Sequence, residues 1–548
     1  MKRLFTPADL SLGGPDAWGK REGEHLAENF LHVRQFGEIR DDENTFLSGR
    51  RGAGKSAIGR MLAKEPGPAY PRTIQGEKGE YGEYMVIVSE LAHDRDAGFS
   101  VNVKESVRRL WAWALPVVAM QTIVIDTRNS GQTPDDDVRR MEQYVQSLPH
   151  GLNVNSSIGH LLSHTFKHAR RFLREGGFQA ALLDLVNSQE HVGALRSLEN
   201  KTRRASVLLV FDTLESYRVF QPHMVEGLQG VLEAITVFLA DPQMSGVSIK
   251  FFIPAEIFDR VIAGFPGKLQ ARTVFLRWRA QDLVAILARR FLSVLHRTET
   301  VSNHELERLR HMVDLAYDGR DGRHLRTEFW YDTGFLPRKI KNLLGKEEDT
   351  FAYILRRTMR RPRDLITAQM QSIINEAAPR DELPRISSDS VVRGVHNPVS
   401  LLQIMKESLA PYEEDFPAEL VAAAQGIFYD RSTIMTGREL QRFAKELYGL
   451  HTLANVEPET FVTTLLRCGV VGLLEDDPKD FRQSTVYFKA RFEHLMQGNL
   501  PLADRLTYCV HPVMADAFKM HRTGSGRAVY PLPTDDLWLE DEARIVEP

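Results

Sequence analysis

Residues 49–56, Gly49-Arg50-Arg51-Gly52-Ala53-Gly54-Lys55-Ser56, set glycines, a lysine and a hydroxyl at the spacing G-x-x-x-x-G-K-[ST]. Each fixed position has a task in holding phosphate. Glycine at 49, 52 and 54 lets the backbone curl until successive N–H groups point inward at phosphate oxygens. The backbone of Arg50, Arg51, Ala53 and Ala57 completes that cradle. Lys55 is placed to reach the β- and γ-phosphates, and the Ser56 hydroxyl to ligate Mg²⁺. A helix opening at the end of the loop favours the same anion. The ligand this chemistry selects is a nucleoside triphosphate with Mg²⁺.

A second metal-binding group is needed at the end of a neighbouring buried strand. Residues 206–211 (S-V-L-L-V-F) read as that strand and Asp212 ends it, the Walker B pattern. Asp212 is the expected partner of Ser56 in holding Mg²⁺. The position after it is Thr213, which is no base at neutral pH. Glu215 either activates the attacking water or complements a helix dipole as a first-turn acid. Lys55, Asp212 and Glu215 are thus the catalytic candidates. Losing a general base costs about 10²–10⁴ in rate, so the expectation is slow turnover and a switch more than a motor.

These groups need elements to hold them. Residues 45–48 read as a short buried strand before the loop, and 57–62 continue as a helix after it. Residues 84–89 (Y-M-V-I-V-S) read as a further core strand, as do 247–253, after which stands Glu256. Strands and helices alternate from 28 to 265, the pattern of a parallel sheet covered by helices. Between the two motifs, residues 101–201 turn helical and read as an insertion. There His160, His164 and His168 share one helix face, expected to be a polar stripe and not a metal site.

From residue 278 the pattern is purely helical, with Leu283, Ile286, Leu287, Phe291, Leu292 and Leu295 on one face. A basic run follows: Arg356, Arg357, Arg360, Arg361 and Arg363. Pro362 suits the first position of a new helix. An arginine in that first turn can fork onto a phosphate, which points to Arg363 and then Arg361 as nucleotide ligands. The other reading is a solvated basic face. Further on, Thr436 and Glu439 form a capping box for one helix, a second covers 459–467, and strands are expected at 470–474 and 484–488. Helix, helix and two-stranded wing outline a winged helix. Its second helix opens with Glu457 and Glu459, and its wing carries Glu475, Asp476, Asp477 and Asp480. Such acids repel phosphates, so protein docking or self-association is favoured over nucleic acid. Residues 521–548 read as an acidic, flexible tail around Trp538.

The chain has 548 residues, a net charge of −3, 43% apolar and 26% charged residues. That is ordinary globular composition with no bulk attraction to nucleic acid. Its two cysteines, Cys468 and Cys509, form no C-x-x-C pair and suit a reducing, cytoplasmic setting. The N-terminal residues lack a signal-peptide core, and no apolar run is expected to span a bilayer.

With Gly49–Ser56, Asp212, the segment Arg361-Pro362-Arg363-Asp364-Leu365-Ile366 and the C-terminal outline in hand, the chain resembles bacterial P-loop ATPases of the AAA+/STAND superfamily, near the origin-recognition-like branch. The resemblance implies an α/β P-loop NTPase core (28–277) after an N-terminal extension (1–27), a helical lid (278–397) and a winged-helix domain (398–520). It places Arg363 on the γ-phosphate as a lid sensor. Members of this family switch assembly state with ATP, and several serve in antiviral defence or DNA transactions. Departures are Thr213 where a glutamate is usual, Glu256 where a polar sensor is usual, and the long helical insertion. The implied function is an ATP-dependent switch of oligomerisation or partner binding; the alternative is a DNA-acting ATPase.

Overall fold

The computed structural model describes residues 5–13, 26–64, 67–75, 82–148, 152–212, 222–262, 267–317, 333–341, 347–412, 425–426, 428–450, 457–475, 487–495, 499–520 and 528–530. The chain forms two compact units. One comprises His32–Arg51 and Lys55–Leu276; the other comprises Met1–Leu31, Gly52–Gly54 and Arg277–Pro548.

The first unit, the sheet unit, opens with helix α1 (Arg34–Arg40) and holds strands β1 (Phe46–Gly49), β2 (Tyr70–Gln75), β3 (Val207–Asp212), β4 (Val247–Pro254) and β5 (Thr273–Phe275). They pair in the order β2-β3-β4-β1-β5, every pair parallel. β3 is buried along its whole length, as its unbroken apolar run demands of a strand covered on both faces. Helix α2 (Lys55–Leu62) lies flush on the sheet at Gly59, where a Cβ would stand 2.8 Å from the Phe252 ring.

Residues 84–89 are not a strand. They lie in helix α3 (Gly82–Asp96), and the strand beside β3 is Tyr70–Gln75, which the sequence reading passed over. The β-branched run hid a helical period: Tyr84, Ile87, Val88 and Leu91 are buried while Val86 is exposed.

Among the described residues, six α-helices lie between β2 and β3: α3, α4 (Val103–Asn129), α5 (Asp136–Ser147), α6 (Ile158–Arg170), α7 (Phe178–Asn187) and α8 (Gln189–Thr202). They share one core with the sheet. Trp111 of α4 packs on Phe211 of β3 and Phe251 of β4, with ring centroids 5.5 and 6.5 Å away. The expected insertion is therefore, at α4, the sheet's own covering layer. Along α6, His160 is exposed and His164 and His168 are half-buried. The sequence expectation that no run is long enough to cross a bilayer does not hold: Val103–Asn129 and His223–Ala240 both have the length and hydropathy. α4, however, is mostly buried inside the sheet unit. α9 (Pro222–Ala240) precedes β4, and α10 (Ala255–Ile262) follows it directly.

The second unit is largely helical. α11 (Ala280–Arg297) buries the expected face, Leu283 through Leu295. Arg290 and Arg297 donate to the carbonyls of Leu12 and Ser11, at 2.6 and 2.9 Å, so the N-terminal segment is anchored there. α12 (Asn303–Tyr317), the hairpin β6 (Lys339–Lys341) and β7 (Glu347–Asp349), and α13 (Thr350–Leu355) lead to the arginine run. A helix does start at Pro362, and it runs as a π-helix over Asp364–Met370 before α14 (Gln371–Ala377), α15 (Ser388–Val395) and α16 (Pro398–Leu409).

The last part holds β8 (Ile434–Thr436), α17 (Gly437–Leu450), α18 (Pro458–Arg467), β9 (Val471–Leu474), β10 (Tyr487–Arg491), β11 (Thr507–Val510), α19 (Pro512–Ala517) and β12 (Ala528–Tyr530). Thr436 and Glu439 make the capping box, with Glu439 accepting from the Thr436 N–H at 2.8 Å. β9 and β10 pair antiparallel as expected. They belong, however, to a five-stranded sheet of order β12-β10-β9-β11-β8, three strands more than the sequence reading placed there. The acidic stretch 476–486 and the tail from 531 lie outside the described residues.

Candidate functional site

The octapeptide leaves the carboxyl end of β1 and enters α2, the strand–loop–helix context that phosphate binding requires. Gly52 and Gly54 have φ of 80° and 92°, a left-handed backbone that only glycine adopts without strain. Lys55, the first residue of α2, is 4% exposed. Its ammonium is turned onto the loop, donating to the carbonyls of Gly49 at 2.6 Å and Arg50 at 3.1 Å. These bonds keep a buried charge satisfied within the loop itself. Ser56 follows it in the first turn of α2.

Asp212 ends β3 and is 1% exposed. Between β3 and β1 runs β4, so the ends of the three strands meet at one carboxyl edge, the place where open parallel sheets hold ligands. Past the end of β4 stands Glu256, in the first turn of α10. Its Oε1 accepts a hydrogen bond from the Arg51 N–H of the loop at 3.2 Å. Thr213 and Glu215 lie outside the described residues.

The loop tip, Gly52–Gly54, belongs to the helical unit. A Cβ on Gly52 would meet the Cβ of Arg363 at 3.2 Å, and the Trp278 indole N–H donates to the Ala53 carbonyl at 2.7 Å. Arg363 and the phosphate-loop tip, more than three hundred residues apart in sequence, are thus neighbours. The Arg363 guanidinium stands 3.8 Å from Glu407 and is about a quarter exposed.

The other arginines of the run are not a solvated face. Arg356, Arg357, Arg360 and Arg361 are all buried. Arg356 forks onto Glu348 at 3.1 and 2.9 Å. Arg357 donates to Asp516 at 2.8 Å and lies over the Tyr353 ring. Arg361 donates to both Asp364 oxygens, at 2.9 and 2.8 Å, and to the Ser408 hydroxyl at 3.0 Å. Burial pushes the Asp364 carboxyl above its ordinary value, and Arg361 opposes that. The basic run reads as solvated only because its partners Glu348 and Asp516 are not adjacent to it in sequence.

Sequence reasoning offered Glu256 only as a residue standing in a sensor's place, and it missed Trp278. The signal for Glu256 was its position just past an apolar strand; for Trp278 nothing local marks it.

A loop of this kind at the end of β1, in a five-stranded parallel sheet with a buried aspartate two strands away, defines a P-loop NTPase core. No protein-family profile matches the chain, and no curated protein matches it. Among solved structures, it is similar to the structure of the Aeropyrum pernix ORC2 protein in its ADPNP–ADP complexes. The identity is 14% and the TM-score 0.32, over 91% of this chain and 93% of that one. The class is carried by the sheet order and the loop.

Proposed function

We propose that the chain binds ATP at residues 49–57, hydrolyses it slowly, and uses the nucleotide state to control self-association or the docking of a partner protein. The observation that carries the reading is the loop at the carboxyl end of β1, with its left-handed glycines and a buried Lys55 beneath it. Ser56 and Asp212 are hard oxygen donors at the ends of α2 and β3, and both suit Mg²⁺. The ion, when bound, neutralises the charge developing on the β- and γ-oxygens. Arg363 beside Gly52 is the proposed lid ligand of the γ-phosphate. Arg361, committed to Asp364, shapes the turn that presents it.

Protein docking is favoured over nucleic acid by the outer face of α17 and α18. Glu457 and Glu459 are exposed at the start of α18. Arg438 and Arg442 on α17 stand within 4.0 Å of Asp504 and 3.7 Å of Glu446. Phosphate neutralisation needs basic groups that such acids compensate.

Titration of the full chain with a fluorescent ATP analogue in MgCl₂, and mass measurement with and without ATP, test the reading. Binding is expected, with Lys55→Ala losing roughly 10–100-fold in affinity as a charge-assisted contact goes, together with an ATP-dependent change in mass or partner binding. Absence of binding sinks the nucleotide assignment. Unchanged mass and partner binding sink the switch, and DNA-stimulated hydrolysis would favour the DNA-acting alternative.

A further inference from the structure

The carboxyl edge of the sheet carries an acid that the loop chemistry has not used. Gly49 of β1 is paired in register with Pro254 of β4, so the loop leaves β1 level with the point where the chain turns into α10. Glu256 is therefore brought to the loop by the sheet register, not by a flexible connection. One carboxylate oxygen accepts the Arg51 N–H at 3.2 Å. The other, Oε2, is buried and has no hydrogen-bond partner among the described residues. The Ser48 hydroxyl, one residue before Gly49 on β1, is buried in the same condition. A buried carboxylate oxygen without a donor costs free energy, and a water that donates to it removes that cost.

We propose that Glu256 is the general base of ATP hydrolysis, in the role the sequence offers to Glu215; this rests on the ATP-binding reading above. Oε1 is held by the loop amide and fixes the carboxylate. Oε2 accepts a proton from the attacking water. The water oxygen forms a bond to the γ-phosphorus, and the bond from that phosphorus to the β–γ bridging oxygen breaks, its electron pair leaving with ADP. Phosphate departs, and Glu256 returns its proton to solvent. The order of groups along the loop agrees with this. Arg51 precedes Gly52, whose neighbour is Arg363, and Lys55 is the residue that the loop pattern assigns to the β- and γ-phosphates when nucleotide is bound.

Glu256→Gln is the informative variant. Its amide oxygen still accepts the Arg51 N–H, so the loop keeps its support and only the base is lost. ATP affinity, measured by titration, is expected to stay within about threefold of the wild type, while kcat falls roughly 10²–10⁴-fold. Glu256→Asp should recover part of the rate, and Asp259→Asn, exposed on the same helix, should change neither quantity. A Glu256→Gln kcat within threefold of wild type overturns the proposal, as does a wild-type chain that binds ATP without turning it over. Failure of the wild type to bind ATP is a different result and removes the nucleotide reading itself.

Discussion

Arg361 and Arg363 are two residues apart, yet their guanidinium groups meet different surroundings. Arg361 is buried on Asp364 and Ser408, while Arg363 reaches the edge of the loop tip at Gly52. The two should separate cleanly on substitution. Arg361→Ala leaves Asp364 buried without its fork and should cost about 3–5 kcal/mol of stability, read as a lowered melting temperature. Arg363→Ala should barely move stability but weaken ATP binding roughly 10-fold or more, the scale of one charge-assisted hydrogen bond. If both variants melt alike and bind ATP alike, the division of labour is wrong. In the sequence both arginines were legible only as candidate phosphate ligands. Which of them was spoken for was not, because Ser408 and the exposure of each side chain come from the packing of α16.

At the scale of elements, α4, α5 and α8 are tied by a buried polar chain. The Trp113 indole donates to the Tyr144 hydroxyl at 3.1 Å, and that hydroxyl bonds His191 Nδ1 at 2.7 Å. Burial pushes the His191 imidazole down to about 4, and the Tyr144 hydroxyl up to about 12. A histidine held below its ordinary 6.5 is neutral in both states above that pH and contributes no slope there. As pH falls from 6.5 towards 4 the unfolded chain takes the proton first, so stability is lost over that window. Between pH 6.5 and 5 the loss is about 2 kcal/mol. His191→Asn, which keeps an acceptor for Tyr144, should flatten this part of the stability–pH curve; an unchanged slope would show that His191 is not its source. The helices themselves were readable from periodicity. The strand at 70–75 was not, because Tyr70-Pro71-Arg72-Thr73-Ile74-Gln75 is too mixed to announce itself and is a strand by virtue of pairing with β3.

At the scale of the whole molecule, each unit has its own core. Among the described residues, one buried cluster gathers the sheet with its covering helices, another gathers α16 with α17, α18 and strands of the C-terminal sheet, and a small third lies on that same sheet. Two compact units predict two calorimetric transitions. Asp516 of α19 accepts from Arg357 at 2.8 Å and lies 3.2 Å from His396, so it ties α19 to the helices before it within one unit. Asp516→Asn should lower the transition of the helical unit by roughly 10 °C, from about 3–5 kcal/mol for a broken buried pair. The transition of the sheet unit should stay in place. A single transition that moves as a whole would show that the two units unfold together.

The sequence by itself determined what depends on a few consecutive residues: the phosphate loop, the apolar strand ending in Asp212, the capping box at Thr436, and the helix opened by Pro362. Their physics is local, a matter of backbone dihedrals, periodicity and short-range hydrogen bonds. Only the tertiary structure decided which charges face each other. It took Glu348 and Asp516 to show that Arg356 and Arg357 are internal, and it took the pairing of Gly49 with Pro254 to bring Glu256 to the Arg51 amide. An ion pair or a base is defined by the distance between two groups, and the chain leaves that distance open until the sheet order and helix packing close it.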